Sequence, residues 1–214
     1  MQIAIASAIH LLHATPHAML AAHSTQLPGY PYATAVPLVV DEVQRPLLLI
    51  SSLAEHTKNL LADGRASLAV SETAPANIQN AARITLLGDF ARCEPTGATV
   101  ARYLRFQPDA GQYLQLDFMF FRMQVKRARF IGGIGKMGWL DSADWDQPNS
   151  ITAEQEEELL AAAAALAAPG IRLLGIDCYG VDYLSAGNRQ RRCFEAGLSA
   201  DELVKALPDL VRRL

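Results

Sequence analysis

From His17 onward the apolar residues fall in short runs, each closed by a cluster of turn residues. His17–Ser24, Tyr32–Val40 and Pro46–Ser51 are three such runs, separated by LPGYP and DEVQ. Runs of this length between Gly, Pro, Asp and Asn clusters predict antiparallel strands joined by tight turns. His56–Ala62 then reads as a short helix and Ala66–Ser71 as a fourth strand. Thr73–Ala81 has no periodicity and is expected to be a loop. Arg83–Cys93 alternates as a strand, with Gly88 marking a bulge or bend. Thr99–Phe106 is helical in pattern and stops near Pro108, and Leu116–Val125 and Arg127–Ile134 predict two strands around a turn at Lys126. About six strands with two intervening helices is too much sheet for a bundle, and closing the sheet into a barrel would remove its exposed edges.

The two ends of the chain read differently. Residues 2–14 are expected to form a helix halted by Thr15-Pro16, since proline disfavours helical geometry in the residue before it. A polar boundary, DSADWDQPNS at Asp141–Ser150, separates the strand-rich part from an Ala-rich helix opened by the capping box Thr152–Gln155 and ended by Pro169-Gly170. Strand-like pieces at Ile171–Cys178 and Arg192–Phe194 flank Gly180 and Gly187. A second capping box, Ser199–Glu202, opens a final helix that Pro208 is expected to kink. The expected organisation is a barrel domain over residues 1–145 and a small α/β domain over 150–214.

Composition narrows the function classes. The chain has 214 residues, half of them hydrophobic, and a net charge of −3, so it offers no basic footprint for nucleic acid. No apolar run reaches the roughly 18 residues of a membrane span. The opening MQIAIASAIHLLHA has no Lys or Arg before its apolar stretch and carries His10 and His13 within it, which suits an amphipathic helix better than a secretory signal. Three cysteines, odd in number and without metal-ligand spacing, suit a reducing cytoplasm.

His23–Val70 (HSTQLPGYPYATAVPLVVDEVQRPLLLISSLAEHTKNLLADGRASLAV), RITLLGDFAR, RYLRFQPDAGQY and RFIGGIGKMGWLD resemble, in this order, the FMN-binding split barrels related to pyridoxamine 5′-phosphate oxidase. The similarity is greatest to the haem-utilisation (HugZ-type) branch, whose small C-terminal domain is echoed in GIDCYGVDYL and ADELVKALPDLVRRL. The resemblance implies an α+β fold that is mainly β, a six-stranded antiparallel split β-barrel with a small C-terminal α/β domain. It also implies a homodimer and an FMN-dependent oxidoreductase acting on a small molecule. The implied cofactor site comprises Thr34, Ala35 and Val36 for the flavin ring, Ser51, His56, Thr57, Lys58 and Asn59 for the phosphate, and Arg83 near the same cavity. Hydroxyls, a cation and free N–H groups at a helix start are what a phosphate needs. His56 stands where the oxidase-type barrels carry Lys or Arg.

The alternative implied by the resemblance is a haem-binding protein that dispenses with the usual C-terminal histidine. EQEEELLAAAAALAA stands where the branch carries its histidine motif, and all five histidines lie within the first 56 residues. A third reading is a cofactor-free barrel used for interactions. No metal site is expected: His13 and His17 are separated by Pro16 and read as ordinary polar residues. No nucleophile elbow occurs and no catalytic residue is assigned. Cys193 is expected to be a buried structural thiol, Glu154–Glu158 a solvated face at a helix start, and Trp139 a residue of the dimer interface.

Overall fold

The computed structural model describes residues 4–73, 77–133, 136–146 and 149–214. Strands β1 (His17–His23), β2 (Pro31–Pro37), β3 (Val39–Val40), β4 (Pro46–Ser51), β5 (Arg65–Ser71), β6 (Arg83–Cys93) and β7 (Phe118–Ile131) form one antiparallel sheet in the order β2-β1-β5-β6-β7-β4-β3. Strand β8 (Met137–Asp141) adds to β7. Side chains alternate across these strands, and the inward set of Leu20, Val36, Leu48, Leu68, Leu86 and Ala128 meets in a single buried cluster. Only a curled sheet brings those strands together around one core. This is the expected split barrel, with eight strands rather than six: the run Tyr32–Val40 divides at Leu38 into β2 and β3, and β8 was not foreseen in its glycine-rich stretch.

Helix α1 (Ile5–Ala14) plugs the barrel with Ala8, Leu11 and Leu12. Its other face, Ala6 and Ile9, belongs to a second core built by α5 (Ala153–Ala164), β9 (Ile171–Asp177), β10 (Gly180–Ser185), β11 (Asn188–Cys193) and α6 (Ala200–Arg212). Leu203, Leu207 and Val211 recur every fourth residue along α6 and are buried, so this amphipathic helix lies on the three-stranded sheet β11-β10-β9. Both capping boxes form: Thr152 Oγ1 accepts from the Gln155 N–H at 3.2 Å and Ser199 Oγ from that of Glu202 at 3.4 Å. A third core joins the two units. Val39, Leu47 and Leu49, on the outer side of β3 and β4, pack against Tyr103 and Phe106 of α3 (Gly97–Phe106) and Leu174 of β9. The remaining helices are α2 (Glu55–Ala62), a 3-10 turn at Pro108–Tyr113 and α4 (Ser142–Trp145).

The structure corrects two further expectations. Residues 118–131 are one strand, not two around a turn at Lys126: Val125 pairs with Gly88 and Arg127 with Leu87, so Lys126 is the extra residue of a β-bulge. Gly88 was expected to mark a bulge, and it does. A Cβ there would lie 2.2 Å from the Gln124 carbonyl oxygen, so glycine alone permits this approach. In the C-terminal part, β10 was not foreseen as a strand between β9 and β11, because its residues run between two glycines with no clear alternation. Pro208 lies inside α6 without ending it. The loop expected at Thr73–Ala81 falls partly outside the described residues, as does Ile134.

Gly88→Ala is expected to lower folding stability by about 2–3 kcal/mol, because backbone, and not a flexible side chain, must move to admit the methyl group. Urea denaturation of the two proteins checks this.

Candidate functional site

A cleft of about 410 Å³ opens between the end of the barrel and α3. Its volume lies within the range of small-molecule sites. Strand β2 contributes Ala35, Val36 and Pro37, and β4 contributes Leu49, Ile50 and Ser51. Helix α2 adds His56, while α3 and the turn after it add Tyr103, Gln107, Asp109 and Tyr113, with Phe118 from β7. The cleft lies where α3 meets β4, joined through Tyr103 and the Leu49 amide. Tyr113 and Phe118 stack face to face with ring centroids 4.6 Å apart and planes 9° from parallel, each ring holding the other in place at the edge of the cleft. Tyr103 is 1% exposed, and its hydroxyl accepts from the Leu49 N–H at 3.2 Å. Burial pushes its phenol up to about 12, so it is protonated throughout the physiological range.

Four of the nine residues expected at a cofactor, Ala35, Val36, Ser51 and His56, come together here. His56 is half-buried, and loss of hydration lowers its pKa below the usual histidine value. Ser51 Oγ accepts from the Leu53 N–H at 3.2 Å. The other five do not line the cleft. Thr34 stands opposite Leu20 of β1 and is half-buried. Thr57 and Asn59 are fully buried, and Asn59 Oδ1 accepts from both the backbone N–H and the hydroxyl of Thr25 at 2.9 Å, pinning the β1–β2 loop. Lys58 is exposed. Arg83 donates to the carbonyls of Ile78 (2.8 Å) and Ala81 (3.3 Å) and so holds the turn before β6.

The electrostatics do not favour a phosphate. Among the described residues no Lys or Arg lines the cleft, and its one carboxylate is Asp109. The N-terminus of α2 has Ala54 at its cap, with no side chain capping it, and Glu55 in its first turn. A dianion there would meet like charge. A shallower groove of about 430 Å³ on the outer face of β1, β5 and β6 includes Arg65, paired with Asp63 at 2.6 Å, and Lys126, paired with Asp89 at 3.6 Å.

Residues that sequence reasoning passed over hold the second notable constellation. His13 was expected to be an ordinary polar residue, yet it is 1% exposed at the junction of the two units. Its Nδ1 lies 2.9 Å from Asp182 Oδ2 and its Nε2 2.9 Å from Gln44 Oε1. Arg191 donates to both Asp177 oxygens at 2.8 and 2.9 Å and to Asp182 at 2.5 Å. The ligand atoms of His13, Asp177 and Asp182 are close enough to share a cation, but the Arg191 guanidinium already stands among them as the positive charge. Burial alone would raise the Asp182 carboxyl, and the Arg191 charge overrides it and holds the group well below the usual range. Glu156 likewise corrects the expected solvated face: it is 1% exposed, ion-paired with Arg102 and Arg105, and accepts from the Ile176 N–H at 2.9 Å. Cys193 is exposed, not buried. Trp139 is 45% exposed, with the Arg127 and Arg129 guanidinium groups 4.3 and 5.3 Å from its ring.

Residues 2–147 match the family described as "CREG, beta-barrel". Over 118 residues, 54% of the chain, the sequence is 35% identical to HOZ, a chloroplastic heme oxygenase from Arabidopsis thaliana; the match spans 36% of the plant protein. Two solved structures align over nearly the whole chain. A protein of unknown function from Agrobacterium tumefaciens has a TM-score of 0.74 at 25% identity, with 98% of this chain and 96% of that one covered. A heme-binding protein from Mycobacterium smegmatis has a TM-score of 0.63 at 26% identity, with 100% and 98% covered.

Removing Arg191 as Arg191→Ala would leave two buried carboxylates uncompensated, and a loss of about 3–5 kcal/mol is expected. A thermal or urea unfolding curve against the unaltered protein measures it.

Proposed function

The chain belongs to the CREG β-barrel family, and on that footing we propose that it is a haem-binding protein whose cleft takes part of the tetrapyrrole. The observation that carries this reading is the likeness, along the whole chain, to the heme-binding protein of Mycobacterium smegmatis. The partial likeness to the plant heme oxygenase points the same way.

The residues of the cleft fit the group. Ala35, Pro37 and the Tyr113–Phe118 pair, over a floor of Val36, Leu49 and Ile50, offer apolar surface to a flat macrocycle. His56 offers an imidazole that its surroundings keep neutral near pH 7, which is the state that ligates iron. When bound, haem would supply a redox-active iron centre. The chain's own part is to exclude water from the ring and present His56 to it. The FMN-dependent oxidoreductase reading has weaker support, since the proteins similar to this chain include a heme-binding protein and a heme oxygenase. The homodimer and cytoplasmic location implied by the sequence are carried as parts of this proposal.

Titration with haemin is expected to give a saturable Soret band, and His56→Ala to weaken binding by about tenfold or more, the scale of losing a metal-orienting group. FMN titrated in parallel should leave its spectrum unchanged. Saturable FMN binding with haemin refused would overturn the reading.

The pH dependence has a definite sign. The folded-state pKa of His56 lies below the ordinary value, so protons do not compete until the pH falls beneath it. Haemin affinity should therefore hold as pH drops through about 6.5 and decline only at lower pH. The same titration at stepped pH checks this.

A further inference from the structure

The third core suggests a task for the C-terminal unit. Phe106 ends α3, three residues after Tyr103, and both belong to the cluster that includes Leu49 and Leu174. The Phe106 ring is held between guanidinium groups, with Arg102 5.1 Å and Arg189 4.5 Å from its centroid, and His13 meets it edge-on at 6.4 Å. Its tip rests on β9 at Gly175. A Cβ at that position would lie 2.7 Å from Phe106 Cζ and 3.1 Å from Glu156 Oε1, so the ring occupies the space a side chain would need. The same helix is tied to β9 and α5 on its other side. Arg105 donates to the Leu174 carbonyl and to Glu156, both at 2.8 Å, and Arg102 donates to the Val40 carbonyl at 2.9 Å while pairing with Glu156.

We infer that the three-stranded sheet positions the cleft wall: Gly175 seats Phe106, and that seating sets where α3 places the Tyr103 hydroxyl and the residues after it. Gly175 and Phe106 are positioning residues, since neither lies in the cleft. Tyr103 is the group they act on. Its oxygen accepts from Leu49, and among the described residues its proton has no acceptor, which leaves it free to donate to an acceptor atom on a ligand. The inference deepens the haem reading by assigning the control of the same site, and rests on that reading only for the identity of the ligand.

The Leu49 amide reports the geometry without any ligand, because it donates to Tyr103 Oη. Its hydrogen exchange would be followed in the full chain, in Gly175→Ala, in Phe106→Ala and in the double variant Gly175→Ala/Phe106→Leu, with haemin affinity measured for each. In Gly175→Ala the ring must leave its seat; Leu49 exchange is expected to rise about tenfold and haemin affinity to fall by a similar factor. The smaller leucine makes room for the new methyl group, so the double variant should return both readings to within about threefold of the original. A general loss of stability would raise exchange at amides throughout the chain, whereas loss of the seat raises it at Leu49 and leaves the amides of β5 and β6 unchanged. Phe106→Ala keeps Gly175 and removes the seated ring, so it should also raise Leu49 exchange, which keeps the test decisive if Gly175→Ala does not fold. Unchanged Leu49 exchange in folded Gly175→Ala or in Phe106→Ala overturns the inference. If the Leu49 results are as expected but the unaltered protein refuses haemin, the positioning stands and the haem reading falls.

Discussion

The pairing of Arg191 with Asp177 and Asp182 is the constraint on which the joint between the two units depends. Three strands of the C-terminal sheet meet in this contact, since Asp177 ends β9, Asp182 lies on β10 and Arg191 on β11. The group is sealed from water on the barrel side by His13 of α1 and Gln44. Gln44 holds its place with a left-handed backbone, φ +64°, and its carbonyl also accepts from Trp145 Nε1 at 3.0 Å. Buried charges of this kind stabilise only as a complete set, because any one left alone must be desolvated without return. They therefore fix orientation more than they add stability. Helix α1 shares its apolar faces between two cores, and the ionic contact decides which way it sits in both.

From that fixed joint the cleft inherits its shape. The C-terminal unit does not enter the cleft, yet Glu156 holds two arginines of α3, and Gly175 receives its last residue. The rest of the wall is carried by strands that the barrel core already holds in place. A ligand site framed by a rigid sheet on one side and a helix clamped from behind on the other is preorganised in the sense that matters for affinity.

Much of the barrel was legible in the sequence because its strands are short, apolar and punctuated by Pro, Gly and Asn. Arg83–Cys93 and Pro46–Ser51 are matched to the residue. Gly88 was readable as a bulge, but not the effect on its partner: Lys126 looks like a turn until the strand opposite is known. The resemblance of His23–Val70 led to the right fold, and four of its implied site residues lie in the cleft. The resemblance also implied Thr57, Asn59 and Arg83 as ligand groups, whereas in the fold Thr57 is buried and Asn59 and Arg83 are occupied by nearby backbone. The α3 side of the cleft was quoted within RYLRFQPDAGQY and given no role. Its signal was present in Tyr103 and Phe106, one helical turn apart. His13, Glu156 and Arg191 were beyond sequence reasoning for a physical reason: their partners are up to 178 residues away along the chain, and a charged residue destined for burial looks no different from one destined for solvent.

A cleft without a lining cation has a kinetic consequence. Charged walls focus the field and draw an oppositely charged ligand in, at rates that fall as salt is added. Among the described residues the lining includes Asp109 and no Lys or Arg, so an anionic ligand gains nothing from long-range attraction. Capture of a ligand there would rest on shape and on shedding water from Ala35, Pro37, Tyr113 and Phe118, a process that needs no charge on the ligand. A ligand held in this way would gain no speed of arrival from charge and would be retained by the covering of its apolar face.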